Sequence, residues 1–323
     1  MTGWMDKAME ELRPWIGRVR AVEDDVGLMA VRRAAGTFDL DQESFRKGSE
    51  LPPHWFSFVG VEAVRQGELG PDGHAKKGIV LPPIPMPRRM GAGRRVKVMG
   101  RLRAGEPAVK KAEVVDIVPK TGRSGEIFVL TMRHSYEQAG KTVAIDEHDA
   151  IYRPAVPPGQ KTTQTVAQQA RSDHSWSDRT PLTNTLNFRY SSLTWNAHRI
   201  HYDGDYTRSE EGYPALVSNG GLSMHLMVDA ALRHAKGMLA GYTARLVHPL
   251  WVGDLIEVRG EPQADDGKLK LWAADKNGTL CGEMELEFAQ CVTDRSPACA
   301  SSISRPSSSG RSARAPSPTT APT

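Results

Sequence analysis

Short runs in which hydrophobic and polar positions alternate fill most of the first half of the chain. They occupy positions 94–102, 112–120, 126–138 and 141–153, and glycine-containing turns separate them. Alternation of this kind, with β-branched and aromatic residues enriched, is typical of strands that bury one face. Four such strands in succession predict an antiparallel sheet.

The second half predicts further strands and one buried helix. The run LTNTLNFRYS at 182–191 predicts a strand, and the stretch from Leu222 to Ala235 is apolar over most of a helical circumference. His225 and Asp229 are four residues apart in that stretch and share one helix face. More strand-like runs follow at 238–250, 254–262, 268–276 and 280–290. This order predicts a helix wrapped by a curved antiparallel sheet.

Composition predicts two domains, a linker and a tail. Residues 154–181 are rich in Pro, Gln, Ser and Thr, which predicts an exposed linker. Residues 292–323 are almost all Ser, Pro, Ala, Arg and Thr, and they can bury too little apolar surface to fold, which predicts disorder. The N-terminal domain is therefore expected at 1–153 and the C-terminal domain at 182–291.

The net charge of +4 does not indicate a nucleic-acid partner. The predicted tail contains four arginines and one aspartate, so it contributes +3 of the +4 and leaves the rest of the chain nearly neutral. A nucleic-acid-binding domain would carry a basic patch on its folded surface. No run approaches the roughly 18 apolar residues of a membrane span, so no membrane partner is expected either.

Cysteine usage favours a reducing compartment. Cys281, Cys291 and Cys299 are an odd number without CxxC spacing, which predicts neither a disulfide framework nor a zinc site. The N-terminal residues contain no apolar segment of the kind found in secretory signals. We therefore expect a cytoplasmic protein.

The densest group of chemically useful side chains lies between Phe188 and Asp203, in the stretch FRYSSLTWNAHRIHYD. Sixteen positions hold two histidines, two arginines, one asparagine and one aspartate. A neutral histidine suits general-base catalysis because its pKa lies near working pH. This stretch is the candidate active site.

The same stretch resembles the hydratase motif of MaoC-like enoyl-thioester hydratases, a family with the hotdog fold. Thr194, Ile200, His201 and Asp203 match the hydroxyl, aliphatic, histidine and aspartate positions of that motif, whereas Asn196 stands where the family has its catalytic aspartate. The segments VSNGGLSMHL and ARLVHPLWVGDLIEV resemble the family's central helix start and its following strands. The whole chain is similar to a narrower branch, the type 2 hydroxyacyl-thioester dehydratases, which includes mesaconyl-C4-CoA (3-methylfumaryl-CoA) hydratases.

This resemblance implies an α+β double hotdog, with two helix-wrapping antiparallel sheets in one chain. The N-terminal half would be a degenerate copy whose lost motif leaves room for substrate. His201 would be the general base, and Asn196 would orient the attacking water. The backbone N–H of Gly220 would hold the thioester carbonyl, although Asn219 and Gly220 also fit a plain helix N-cap and turn.

Two further residues of the motif have open roles. His198 can be a second proton-active group or a structural histidine. Asp203 can orient His201, which would fix the tautomer, or cap the turn that follows.

Three residues are candidates for substrate binding. Thr194 matches a motif position, and Arg189 and Arg199 flank the cluster. Either arginine could pair with the distal carboxylate of a dicarboxylic half-thioester. A structural salt bridge or a contact with the CoA phosphates would use the same charge.

The resemblance implies an enoyl-thioester hydratase that adds water reversibly to a 2-enoyl-CoA, with mesaconyl-C4-CoA or a related branched dicarboxylic acyl-CoA as the leading substrate. No metal or redox cofactor is expected, CoA being part of the substrate, and a homodimer is a candidate assembly. Three alternatives stay open: a 3-hydroxyacyl-[acyl-carrier-protein] dehydratase of fatty acid synthesis, a hotdog thioesterase, and a non-catalytic acyl-thioester binder.

Overall fold

Ten antiparallel strands form one continuous sheet. A computed structural model describes residues 3–122, 125–155 and 166–290. The helices are α1 (Gly3–Leu12), α2 (Leu28–Thr37), α3 (Asn184–Leu193), α4 (Gly204–Ser209) and α5 (Gly220–His234). The strands are β1 (Val19–Asp24), β2 (Arg88–Val98), β3 (Ala108–Gly122), β4 (Gly125–Gln138), β5 (Lys141–Arg153), β6 (Trp176–Pro181), β7 (Met238–Leu246), β8 (Leu255–Gly260), β9 (Lys268–Ala274) and β10 (Leu280–Ala289). The predicted tail at 292–323 lies outside the described residues.

The strand order shows that the two halves of the chain repeat one topology. The sheet runs β1-β3-β4-β5-β2-β7-β10-β9-β8-β6. The first half contributes β1 to β5, and the second half contributes β6 to β10. From its outer edge inwards, each half has its first, third, fourth, fifth and second strand in that order. The second strands of the halves, β2 and β7, pair with each other at the centre, from Gly93↔Arg245 to Lys97↔Gly241. A side chain at Gly241 would meet the carbonyl oxygen of Val96 at 2.5 Å, so this joint needs a glycine.

The repeat extends to the helix that follows the first strand of each half. Helices α2 and α3 both contain ten residues. Each is followed, two residues beyond its end, by a non-glycine residue in the left-handed backbone region, Asp39 (φ 55°) and Trp195 (φ 49°). Such residues are uncommon, so their matched positions support a duplication.

Within the residues that the structure describes, only the second half contains a long central helix. Nine of the fifteen residues of α5 are buried, and the helix packs against β7, β8 and β9. It begins after Asn219, whose side chain accepts a hydrogen bond from Gly221 N–H at 3.0 Å. The corresponding part of the first half contains only short 3-10 helices, at Gln42–Ser44, Trp55–Phe58 and Gln66–Glu68. The predicted buried helix wrapped by an antiparallel sheet is thus present.

The larger hydrophobic core spans both halves. It joins apolar residues of α5, such as Leu222 and Met227, to Phe38 and Trp55 of the first half, all nearly inaccessible to solvent. A smaller core lies between α1 and strands β3 to β5. Burial on this scale, at about 25 cal/mol per Å² of apolar surface, stabilises the association of the halves.

The strand predictions at 112–120, 126–138 and 141–153 are confirmed by β3, β4 and β5. The strand predicted at 182–191 is wrong, because that stretch forms α3. Thr183 caps this helix by accepting a hydrogen bond from Leu186 N–H at 3.1 Å. Its buried side chains, Asn187, Tyr190 and Ser191, have helical spacing, but two are polar, so the apolar pattern did not reveal a helix. Strand β6 lies within the predicted linker at 154–181, and the domain boundaries stay a prediction.

Candidate active site

A sharp turn after α3 returns the chain towards the molecule's interior. Thr194 ends the helix, and its hydroxyl donates to Tyr190 O at 3.0 Å. Trp195 has a positive φ, and Asn196 N–H then donates to Ser191 O at 2.8 Å. The Asn196 side-chain oxygen accepts a hydrogen bond from His198 N–H at 3.1 Å. The asparagine therefore shapes the loop that carries both histidines.

His201 is buried and held in one orientation. Its side chain lies on a 3-10 turn, only 8% of the residue is exposed, and Nδ1 is 2.8 Å from Val217 O. A carbonyl oxygen can only accept, so Nδ1 carries the proton and the neutral ring presents Nε2 as a base. Burial lowers the pKa of His201 to about 4, against a small opposing effect of the Val217 hydrogen bond. The imidazole is therefore neutral at physiological pH.

A buried asparagine joins this turn to the start of α5. Asn187 is 1% exposed; its amide nitrogen donates to His201 O at 2.9 Å, and its oxygen accepts from Asn219 N–H at 2.8 Å. One side chain thus fixes the backbone of His201 relative to Gly220, the first residue of α5. The partial positive charge of the helix N-terminus lies at this end.

Both glycines at the helix start are closely packed. A Cβ on Gly220 would meet Cδ1 of Leu246 at 2.7 Å, and one on Gly221 would meet the hydroxyl of Tyr190 at 2.7 Å. Gly221 N–H already donates to Asn219 Oδ1, so the N–H of Gly220 is the candidate donor to a carbonyl at this turn.

A loop from the N-terminal half contacts the histidine-bearing loop. Gly73, at φ +88°, lies so close that a Cβ there would be 1.9 Å from Ala197 O. The carbonyl oxygen of Asp72 accepts a hydrogen bond from Arg199 N–H at 2.9 Å. The rings of His74 and His198 lie 4.1 Å apart between centroids. The first half of the chain therefore contributes directly to the site.

The histidines of the site form a row that ends at a carboxylate. Asp72 Oδ2 is 3.0 Å from His74 Nδ1, and the rings of His198 and His201 are 5.7 Å apart between centroids. Burial, together with the neighbouring His74 and His201, lowers the pKa of His198 to about 2. Burial and the charge of Arg89 also lower the pKa of His74. The row is neutral apart from Asp72.

The other residues singled out from the sequence have structural partners. Asp203 caps α4 by accepting from Tyr206 N–H at 3.0 Å, and it forms an ion pair with Arg199 at 2.7 Å. Of its two predicted roles, the structure shows the capping contact. Arg189 contacts Gly36 O with Nη1 at 3.3 Å. The roles of these residues towards a substrate stay predictions.

The comparisons with known proteins identify the family of the chain. Residues 53–252 match the family described as hydroxyacyl-thioester dehydratase type 2 (Htd2). The chain is also 35% identical over 273 residues to the mesaconyl-C(4)-CoA hydratase of Chloroflexus aurantiacus, an alignment that covers 84% of this chain and 96% of that protein. The chain belongs to the Htd2 family. Its members are hydratase and dehydratase enzymes, so this chain is an enzyme of that class.

Other relatives support the family and the fold. The mitochondrial hydroxyacyl-thioester dehydratase type 2 of Schizosaccharomyces pombe is 39% identical over 98 residues, which are 29% of this chain and 32% of that protein. A MaoC-like dehydratase from Phytophthora capsici superposes with a TM-score of 0.64 at 15% identity, covering 88% of this chain and 99% of that one. HtdX from Mycobacterium tuberculosis superposes with a TM-score of 0.57 at 12% identity, covering 84% and 100%. The predicted double hotdog fold is confirmed.

Three residues of this Htd2 site were not predicted from the sequence. Asp72 and His74 follow Pro71 in a turn-like segment far upstream of the histidine cluster, and only the fold brings them to it. Asn187 immediately precedes the cluster but was assigned to a strand, where it could not have been placed against His201. A loop that carries a histidine and an aspartate two residues apart is a weak signal.

A second buried cluster joins the halves beside α5. His54 precedes the 3-10 helix at Trp55–Phe58, and its Nε2 lies 3.3 Å from His225 Nε2 and 3.2 Å from Asp229 Oδ1. Nitrogen and oxygen atoms at these separations can hold a metal ion. Metal-bound histidines nearly always donate their other ring N–H, however, and the buried His54 Nδ1 has no hydrogen-bond partner among the described residues. His54 Nε2 is within hydrogen-bonding distance of both His225 and Asp229, so hydrogen bonding accounts for the cluster better.

Two other groups of described side chains have ligand atoms close enough for a metal ion. One is Asp72, His74 and His198 in the row described above, and the other is His134, Asp146 and His148 on the sheet. In the latter, Arg94 already occupies both oxygens of Asp146, at 2.7 and 2.5 Å.

Among the helices formed by residues 3–122, 125–155 and 166–290, none is long and apolar enough to cross a membrane.

Proposed function

We propose that this protein catalyses the reversible addition of water to the double bond of a 2-enoyl-CoA, with mesaconyl-C4-CoA or a related branched dicarboxylic acyl-CoA as substrate. The observation that carries the proposal is the neutral His201 ring, anchored through Nδ1 with Nε2 left to act as base. The acyl group is suggested by the name of the relative that is 35% identical over most of the chain.

In the hydration direction, His201 Nε2 accepts a proton from water while the water oxygen forms a bond to the β-carbon. The electron pair of the double bond moves towards the thioester carbonyl and gives an enolate. His201 then returns the proton to the α-carbon, the carbonyl re-forms, and the ring is neutral again. All atoms of one water molecule end on the product. A positioned histidine contributes roughly 10²- to 10⁴-fold to the rate of such a proton transfer.

The start of α5 is the proposed site for the thioester carbonyl. The backbone N–H of Gly220 and the partial positive charge of the helix N-terminus would stabilise the negative charge that develops on the enolate oxygen. Asn196 uses its oxygen within the loop, and its amide N–H₂ can donate to the attacking water. Unlike aspartate, it exchanges no proton, so His201 handles both proton transfers in this scheme.

The proposal includes neither a redox cofactor nor a metal. Adding water changes no net oxidation state, and a protein base performs the step for which a metal-bound hydroxide is otherwise needed.

A cytoplasmic location and a homodimer are also part of the proposal. Light scattering of the purified protein tests the homodimer.

An enoyl-CoA panel tests the function. The protein is incubated with mesaconyl-C4-CoA, crotonyl-CoA and longer enoyl-CoAs while the absorbance of the conjugated thioester is followed. We expect the absorbance to fall and the product to gain the mass of one water. Release of free thiol without a hydrated product would indicate a thioesterase. Tight binding without turnover would indicate an acyl-thioester binder, and turnover of carrier-protein thioesters alone would indicate a fatty-acid dehydratase.

A further inference from the structure

Three arginines of β2, and Arg199 beside the histidines, already form ion pairs with carboxylates. The ion pairs are Arg88–Glu211 at 2.9 Å, Arg94–Asp146 at 2.5 Å, Arg95–Asp149 at 2.7 Å and Arg199–Asp203 at 2.7 Å. Arg199 is one of the two arginines predicted to bind the distal carboxylate of a substrate, and it is therefore already paired with the residue that caps α4. Arg189, the other, directs Nη1 to a backbone oxygen on the C-terminal end of α2.

Arg89 is different. It is the second residue of β2, lies opposite Tyr152 in the sheet and is half-buried. Its charge, after the larger effect of burial, lowers the pKa of His74 and has a lesser part in lowering the pKa of His198. Across residues 3–122, 125–155 and 166–290, no carboxylate forms an ion pair with Arg89, since the acids of this region pair elsewhere.

This environment favours an external anion. A guanidinium has five N–H donors, and partial burial without a counter-ion is costly unless these donors find partners. Planar carboxylates are the groups that match its geometry best, through two parallel hydrogen bonds. The flanking histidines do not compete for an anion, because burial keeps them neutral. The only neighbouring acid on the histidine row, Asp72, is bound to His74.

We infer that Arg89 binds the free carboxylate of a dicarboxylic enoyl thioester and so selects this substrate class. The inference rests on the proposed function. In 3-methylfumaryl-CoA the carboxylate is bonded to the carbon that water attacks, so its binding group must lie near the base. Arg89 meets this condition, because the start of β2 lies beside the histidine row: Lys77, on the loop that carries His74, donates to Met86 O at 2.5 Å, and the rings of His74 and His198 are 4.1 Å apart between centroids.

The test compares substrates that carry either a carboxylate or a methyl group on the β-carbon. For wild type, Arg89→Gln and Arg89→Lys, kcat/KM is measured with mesaconyl-C4-CoA and with 3-methylcrotonyl-CoA, which has a methyl group in place of the carboxylate. Arg95→Gln is the matched control, since Arg95 lies on the same strand but is exposed and paired with Asp149. Charge-assisted hydrogen bonds contribute about 1.5–3 kcal/mol, or roughly 10- to 100-fold.

We expect Arg89→Gln to lower the ratio of the two kcat/KM values by roughly 10- to 100-fold, mainly through KM for the carboxylated substrate. Arg89→Lys should retain part of the preference, and Arg95→Gln should leave the ratio unchanged. An unchanged ratio in Arg89→Gln, or equal losses for both substrates, would overturn the inference.

A binding measurement separates this inference from the proposed function. Succinyl-CoA and butyryl-CoA are saturated, and they differ on the β-carbon by the same carboxylate and methyl groups. We expect wild type to bind succinyl-CoA more tightly, and Arg89→Gln to lose that preference. If wild type hydrates no enoyl-CoA but shows this binding preference, the proposed function fails and the role of Arg89 stands. If wild type hydrates enoyl-CoAs without preferring either ligand, the role of Arg89 fails alone.

Discussion

At the scale of single residues, the chemistry depends on how His201 is held. Its Nδ1 is fixed by Val217 O, and its backbone oxygen is fixed by Asn187. These two contacts leave Nε2 as the basic atom of a ring that burial keeps neutral. Asn196 fits the same loop as a structural hydrogen-bond acceptor, which explains how an amide can replace a carboxylate without loss of the turn.

The pH dependence of activity follows from this environment. The base must be unprotonated, and the pKa of His201 is lowered from its ordinary 6.5 to about 4. Activity is therefore present above the folded-state pKa and is lost as the pH falls through it. We expect kcat/KM, which reports the free enzyme, to stay constant from pH 8 to about 5 and to be half-maximal near 4. A half-maximal point near pH 6.5 would contradict the assignment, provided that activity returns in full after a shift back to pH 7.

At the scale of elements, the site is assembled by loops from both halves. The segment around Gly73 packs on the loop that carries His198 and His201, and Asp72 O accepts from Arg199 N–H. Glycine is needed there both for its positive φ and for the close approach to Ala197. The N-terminal half is thus a part of the candidate active site as well as a partner in the core.

Replacing Gly73 by alanine should therefore damage catalysis more than folding. The added Cβ would lie 1.9 Å from Ala197 O, so the histidine loop must move. Displacements of about 1 Å at a catalytic group can lower rates by roughly 10²-fold, and we expect a loss of about that size in kcat. Gly67→Ala is the control, because a Cβ there meets nothing within 4 Å. Equal activity of the two variants, measured at the same folded fraction, would refute this role for the loop.

How far the sequence predicts the structure also depends on the element. Strands such as β4 and β5 alternate between buried and half-buried residues over much of their length, so their patterns predicted them. Helix α3 buries Asn187 and Ser191, and polar core residues give no apolar period. The cluster from Phe188 to Asp203 could be found because its members are close in sequence. The contributions of Asp72 and His74 could not, because they depend on how the two halves meet.

At the scale of the whole molecule, two copies of one strand topology share a sheet, but only one copy keeps the long central helix. Polar side chains cross the boundary between the copies within the core, including His54 with Asp229 and Arg94 with its neighbour Met224. Several buried histidines are kept neutral by the folded state. Stability and pH are therefore coupled across the whole protein.

We expect the free energy of unfolding to fall as the pH is lowered from about 6.5 to 4. Burial lowers the pKa of His134, and it lowers the pKa of His148 and His201 to about 4. In this window the unfolded chain binds protons that the folded chain does not. Each such histidine contributes up to about 1.4 kcal/mol per pH unit. Urea unfolding across this range measures the slope, and His148→Gln should reduce it by the contribution of one proton. A slope of zero would show that these histidines are protonated in the folded protein.

The most direct test of the central claim is the hydration rate of His201→Ala. The account predicts that wild type hydrates a 2-enoyl-CoA and that His201→Ala does so at least roughly 10²-fold more slowly, because the only positioned base is removed. His234→Ala, at the opposite end of α5 from Gly220, is the matched control and should keep wild-type activity. Undiminished hydration by a folded His201→Ala protein would contradict the account.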